Sequence, residues 1–117
     1  MSTRSVGDLA ERRAAQFLES LGYTLLHRNY RCRLGEIDII AEESGVLCFV
    51  EVRSRASARY GEPLETISAT KRRRIALTAN HFLATRSVHE RACRFDVVTI
   101  TGEGEPRLLR DAFAIDA

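Results

Sequence analysis

The sequence predicts an α/β protein of a single domain spanning residues 1–117, with a central mixed β-sheet flanked by helices in the order α-β-β-β-α-β-β. Three observations predict it. Two stretches, residues 7–21 and roughly 68–85, carry the apolar spacing of amphipathic helices. Five shorter runs read as strands, and one of them contains "VLCFV", an uninterrupted apolar run that fits a central strand covered on both faces. The second helix falls between strands, so both helices pack on one sheet. A chain of 117 residues is long enough to bury one core without disulfide staples.

In the first helix, "GDLAERRAAQFLESL", the residues Ala10, Ala14, Phe17, Leu18 and Leu21 form the apolar stripe, and Gly22 ends it. Arg12, Gln16 and Glu19 lie opposite. Glu11 breaks the pattern, because an advance of about 100° per residue puts it beside Leu18 at the edge of the stripe. A boundary glutamate that reaches water or an arginine would satisfy that position. "YTLLHRNYR", 23–31, is a first strand or extended segment, and "EIDIIAE" and "VLCFVEVRS" are two stronger ones joined through Glu43-Ser44-Gly45. "ARYGEPLET" is a loop carrying Gly61 and Pro63. The second helix runs from Ser68 or Ala69 to Thr85 with Ile75, Ala76, Ala79, Phe82 and Leu83 inward. "RFDVVTI", 94–100, is the next strand, and "GEGEP" turns into a short last one near Leu108.

Hydrophobic residues make up 44% and charged residues 29%, the balance of an ordinary soluble domain. No apolar run is long enough to cross a bilayer and "MSTRSVGDLAERR" is not a signal peptide, so a cytoplasmic location without membrane contact is expected. Cys32, Cys48 and Cys93 are scattered and odd in number, which suits reduced thiols better than a zinc site, with Cys48 in the core. His27, His81 and His89 share no metal-ligand spacing; Tyr23 and Tyr30 suit core packing; Gly35 and Gly61 suit turns. The net charge is only +2, yet cations cluster at Arg12-Arg13, 28–33, 53–59 and 71–74. Each cluster alone fits a solvated face, while four together favour a polyanion such as nucleic acid.

The chemistry concentrates in the hairpin "LGEIDIIAEESGVLCFVEVRSR", 34–55. A two-residue turn at Ser44-Gly45 sets Asp38 directly opposite Glu51, with Cβ atoms roughly 4.5–5.5 Å apart. Two carboxylates at that distance repel unless a cation or a proton lies between them. A divalent metal would supply the cation. Arg53, two residues past Glu51, projects from the same face and would stand beside the metal or, alternatively, neutralise one carboxylate in an ion pair. A slip of one residue in register would send Asp38 and Glu51 to opposite faces and dissolve the site.

These residues carry a resemblance. Asp38 followed by Glu51-Val52-Arg53 resembles the PD-(D/E)xK pattern of restriction-endonuclease-like nucleases. The stretches "GDLAERRAAQFLESLGY", "RNYRCRLGEIDIIA", "FVEVRSR", "YGEPLETIS", "TKRRRI" and "RFDVV" make the chain similar to the bacterial YraN family, related in fold to archaeal Holliday junction resolvases. The resemblance implies a restriction-endonuclease-like fold in which Asp38, Glu51 and the Val52 carbonyl hold Mg²⁺ or Mn²⁺. Glu11 would approach the same site through water, and Glu36 would be an outer ligand. The departure is Arg53 where the pattern has lysine. An arginine stays protonated and cannot serve as a base, although its two N–H groups can orient and neutralise a phosphorane.

Lys71, Arg72, Arg73 and Arg74 open the second helix, where the dipole disfavours cations. They fit either phosphate contact, supported by Arg55 in the adjoining basic segment "RSRASAR", or a solvated start. Three functions stand as expectations. The first is a metal-dependent endonuclease acting on DNA, branched or damaged, with Asp38, Glu51, Arg53 and Glu11 at its centre; symmetric cutting of two strands would favour a homodimer. The second is a nuclease-fold module that binds nucleic acid without cutting. The third is a protein–protein adaptor whose acidic hairpin is only structural.

Overall fold

The structure is a computed structural model that describes residues 3–55, 67–86 and 91–114, with side chains from residue 9 onward. Its elements keep the predicted order: α1 Thr3–Ser20, β1 Thr24–Cys32, β2 Gly35–Glu43, β3 Val46–Arg55, α2 Ala69–Thr85, β4 Cys93–Thr101 and β5 Arg107–Leu109. The predicted loop around Tyr60, Gly61 and Pro63, most of "RSRASAR" and His89 lie outside the described residues.

The five strands form one sheet in the order β1-β2-β3-β4-β5. β1, β2 and β3 are antiparallel neighbours, β4 runs parallel to β3, and β5 returns antiparallel to β4. A parallel pair needs a crossover, and α2 supplies it. β3 is the central strand, as its unbroken apolar run predicts, and Leu47, Cys48, Phe49 and Val50 are all buried.

Each face of the sheet carries one helix and one core. On one side Ala10, Ala14, Ala15 and Leu18 of α1 meet Ile39, Ala41, Cys48, Val50, Val98 and Ile100. On the other, Ile75, Ala79 and Phe82 of α2 meet Ile37, Ile40, Leu47, Phe49 and Val97. Three inward positions differ from expectation. Leu21 falls in the turn after α1 and is 42% exposed, because the helix ends at Ser20, so Ala15 completes the stripe instead. On α2, Ala76 and Leu83 are only half-buried, while Thr78 is fully buried with its hydroxyl donating to the Arg74 carbonyl at 2.8 Å. That bond within the helix satisfies the hydroxyl and lets a polar residue face the core.

The β2–β3 hairpin sets which strand residues meet. Ser44 and Gly45 both have positive φ, at 50° and 81°, as a two-residue turn matched to the strand twist requires. The ladder runs from Glu43↔Val46 to Ile39↔Val50. Continued one step further, that register would set Asp38 against Glu51 as the sequence predicts, but the ladder ends at Ile39↔Val50. Tyr30 packs edge-on against Phe82 at 5.2 Å, and Tyr23 is buried. Among the described residues no helix is long and apolar enough to cross a membrane.

Candidate active site

Beyond Ile39↔Val50 the two hairpin strands no longer exchange ladder bonds in pairs. The next β3 amide that faces β2 is that of Val52, and it donates to Asp38 Oδ2 at 2.8 Å. The Asp38 side chain therefore takes the place of a backbone acceptor. In an extended strand the N–H and C=O of one residue point the same way, so the Val52 carbonyl also faces β2.

β2 departs from strict alternation at Asp38. Ile37 and Ile40 both belong to the α2 core, while Ile39 between them packs on the α1 side. The β1–β2 ladder skips the same place, passing from Arg28↔Ile39 to Tyr30↔Ile37, and the skipped β1 residue, Asn29, has φ 55°. Asparagine tolerates that left-handed conformation better than most residues. With its amide nitrogen turned toward α1, the Asn29 side chain donates to both Glu11 oxygens at 2.9 and 3.0 Å. Glu11 is thus held from across the sheet edge and is only partly exposed.

The electrostatics of Asp38 report who its neighbours are. Burial first, then the charge of Glu51, push its carboxyl up from 3.8 to about 7; Glu11 and Glu36 add smaller repulsions, and only the Val52 amide opposes them. The other three predicted carboxylates therefore all act on Asp38. Glu36 sits at the rim, where Arg31, its ladder neighbour, lies 3.3 Å from its carboxylate.

Glu51 is buried on the α2 side of the sheet, and Lys71 Nζ of α2 lies 2.6 Å from its Oε1. The sequence grouped Lys71 with Arg72, Arg73 and Arg74 as a patch for phosphate; the structure separates it from them and brings it into the carboxylate site. Ser68 explains the aim. Its hydroxyl caps α2 by accepting the Lys71 N–H at 3.1 Å, which fixes Lys71 on the first turn. Arg73 and Arg74 are exposed and Arg72 half-buried. Arg53 comes two residues after Glu51, on the same face by strand alternation, and pairs in register with Thr99 of β4. Arg55 lies at the end of β3, half-buried.

Asn29 and the reach of Lys71 were not legible from sequence. The one available signal for Asn29 was an asparagine inside an otherwise regular strand. For Lys71 it was a serine three residues ahead, which marks a cap but not the direction of a side chain.

The donors suit a hard divalent ion. Asp38, Glu51 and the Val52 carbonyl offer only oxygen, and Mg²⁺ commonly binds through one or two carboxylates while keeping several waters. Among the described residues no three Asp, Glu, His or Cys side chains stand ready to enclose an ion by themselves. Water or substrate would have to complete the shell.

Comparisons with known proteins agree on one family. The model of "Uncharacterised protein family UPF0102" matches residues 10–100. A UPF0102 protein of Lachnoclostridium phytofermentans is 47% identical over 114 residues, covering 97% of this chain and 96% of its own. Relatives from Nitrosomonas europaea and Symbiobacterium thermophilum are 46% and 45% identical, covering 96% and 95% of this chain and 96% and 98% of theirs.

Proposed function

Because this chain belongs to the uncharacterised protein family UPF0102, we propose its function from its own site: a metal-dependent endonuclease that hydrolyses phosphodiester bonds in DNA, branched or damaged. One observation carries the reading. The fold ties the half-buried Asp38 carboxyl to the Val52 amide at 2.8 Å, close enough to the buried Glu51 that its charge is disfavoured. Like-charged pairs held at a cost to stability are characteristic of sites that bind a cation or move a proton.

In this reading Asp38, Glu51 and the Val52 carbonyl hold Mg²⁺ or Mn²⁺, with Glu36 at the rim. The bound ion supplies Lewis acidity toward the phosphate and acidifies water. Glu11, fixed by Asn29, orients a water from the α1 side. Arg53 binds the phosphate and offsets the charge that develops on it. Arg55, Arg72, Arg73 and Arg74 contact the backbone and position a strand without reading its bases.

The deciding experiment is cleavage of labelled single-stranded, duplex, flap and four-way-junction DNA with Mg²⁺, Mn²⁺ or EDTA, beside Glu51→Ala protein. Metal-dependent cutting that vanishes in the variant supports the reading, and cutting that persists in the variant defeats it.

Arginine in the lysine place favours a second reading, a nuclease-fold module that binds nucleic acid without cutting. It expects Asp38→Ala to bind DNA in EDTA as well as the parent or better, because a repulsive charge is gone. The Lys71–Glu51 ion pair is also what a purely structural network would contain, as the adaptor reading requires. An adaptor would show no DNA affinity even at low salt, whereas phosphate contacts give affinity that falls steeply as salt rises.

A further inference from the structure

A cation already stands among the carboxylates, and it comes from neither hairpin strand. Lys71 Nζ is 2.6 Å from Glu51 Oε1; the glutamate side chain is 8% exposed and the lysine side chain 41%. Two features make this more than a surface pair. The first turn of α2 has no acidic residue, so nothing within the helix offsets the cost of a cation near the positive end of its dipole. Its partner is also the carboxylate that repels Asp38 most strongly. The ammonium therefore neutralises one half of a like-charge pair.

We infer that Lys71 is the resident counter-cation of this site, which a divalent ion displaces from Glu51 and frees to meet the phosphate of the substrate. The inference rests on the metal reading above. A carboxylate oxygen bonded to an ammonium at 2.6 Å is a poor ligand, and the ammonium repels any ion that approaches Asp38. Metal entry must move it. Ser68 anchors the lysine backbone, so only the side chain swings, and it remains at the helix terminus where an arriving phosphate is the natural replacement anion. The lysine that the strand lacks at Arg53 would in this way be supplied from α2.

The test is a Mn²⁺ titration, followed by loss of the free-ion electron paramagnetic resonance signal, on the parent, Lys71→Met and Lys71→Arg. Melting temperatures without metal are taken in parallel for Lys71→Met, Glu51→Gln and the double variant at pH 8. Methionine keeps the length and removes the charge, so Mn²⁺ affinity should rise about tenfold or more. Arginine should leave it close to the parent. Without metal, Lys71→Met should melt several degrees lower, and that loss should shrink in the Glu51→Gln background, since the partner charge is gone. Unchanged or weaker Mn²⁺ binding by Lys71→Met overturns the exchange. If neither the parent nor Lys71→Met binds Mn²⁺, the metal reading of the site fails, and the melting cycle decides the lysine alone. Coupling then keeps Lys71 as the counter-ion of Glu51, and additive losses remove that role.

Discussion

Burial and the charge of Glu51 raise the Asp38 carboxyl to about 7, so between pH 3.8 and about 7 the folded chain holds a proton that the unfolded chain would release. Linkage sets the sign. Folding favours the protonated form, so Asp38 costs nothing at low pH and progressively destabilises the metal-free protein as pH climbs through that window. Asp38→Asn removes the charge and can still accept the Val52 amide. It should stabilise the metal-free protein at pH 8 by about 2 kcal/mol, ~8 °C in melting temperature, and leave it nearly unchanged at pH 4. Mn²⁺ should raise the parent's melting temperature at pH 8 and do so little at pH 5.5, because a ligating carboxylate must first lose its proton. Thermal melts of both proteins at these pH values check all of it, and an equal Mn²⁺ effect at both would remove Asp38 as a ligand. At this scale the Asp38–Glu51 pair was legible because a turn residue fixes register, and register fixes which side chains meet. The Asn29–Glu11 contact was not, because it depends on one backbone angle on a neighbouring strand.

Elements place these residues by how closely they approach, and β2 comes up closely against α2 at Gly35. Gly35 opens β2 with φ 156°, and a Cβ built there would lie 2.8 Å from Thr78 Oγ1 and 3.5 Å from the Arg74 carbonyl oxygen. Thr78 is fully buried and its hydroxyl is tied to Arg74, so neither neighbour yields easily. Gly35→Ala should destabilise by about 1–3 kcal/mol through overpacking, read as a shift in denaturant midpoint with little change in slope. Adding Thr78→Ala should recover part of that loss by removing the obstructing oxygen. A Gly35→Ala protein as stable as the parent would show that β2 and α2 can separate freely. The site depends on this approach, because α2 carries Lys71 to a glutamate on β3. Sequence patterning placed both elements with nearly the observed ends, starting α2 at Ser68 or Ala69. It assigned Gly35 to a turn, however, since helical spacing does not reveal that a polar threonine faces the sheet and leaves no room for a side chain.

At the scale of the whole molecule, two sets of charges among the described residues sit on one sheet with opposite electrostatics. Near the hairpin turn, Arg94 pairs with Glu43 and Asp96 and donates to Tyr23, Tyr23 donates to Asp96 at 2.8 Å, and Arg110 closes the set on Glu43. Here every charge meets its opposite. Arg110 foremost, with Arg94, holds the Glu43 carboxyl down at about 2, so its contribution is complete above its ordinary 4.5 and is lost only as pH falls toward 2. Around Asp38 the balance is reversed, and the carboxyl is held up rather than down. Sequence alone could not tell these sets apart: "EID" and "RFD" each put an aspartate in a strand, and only the three-dimensional partners show which one is satisfied. The difference predicts opposite outcomes for two substitutions. Arg94→Met leaves Asp96, which has no exposed surface, without its ion-pair partner, and should cost about 3–5 kcal/mol at neutral pH. It should spare metal and DNA binding in the fraction that remains folded. Asp38→Asn should do the reverse, raising stability while abolishing the metal response. Urea unfolding and Mn²⁺ titration on the two purified variants decide the matter. An Arg94→Met protein as stable as the parent would mean that the larger charge network is not what holds the C-terminal strands to the hairpin, and that the apolar cores on both faces suffice.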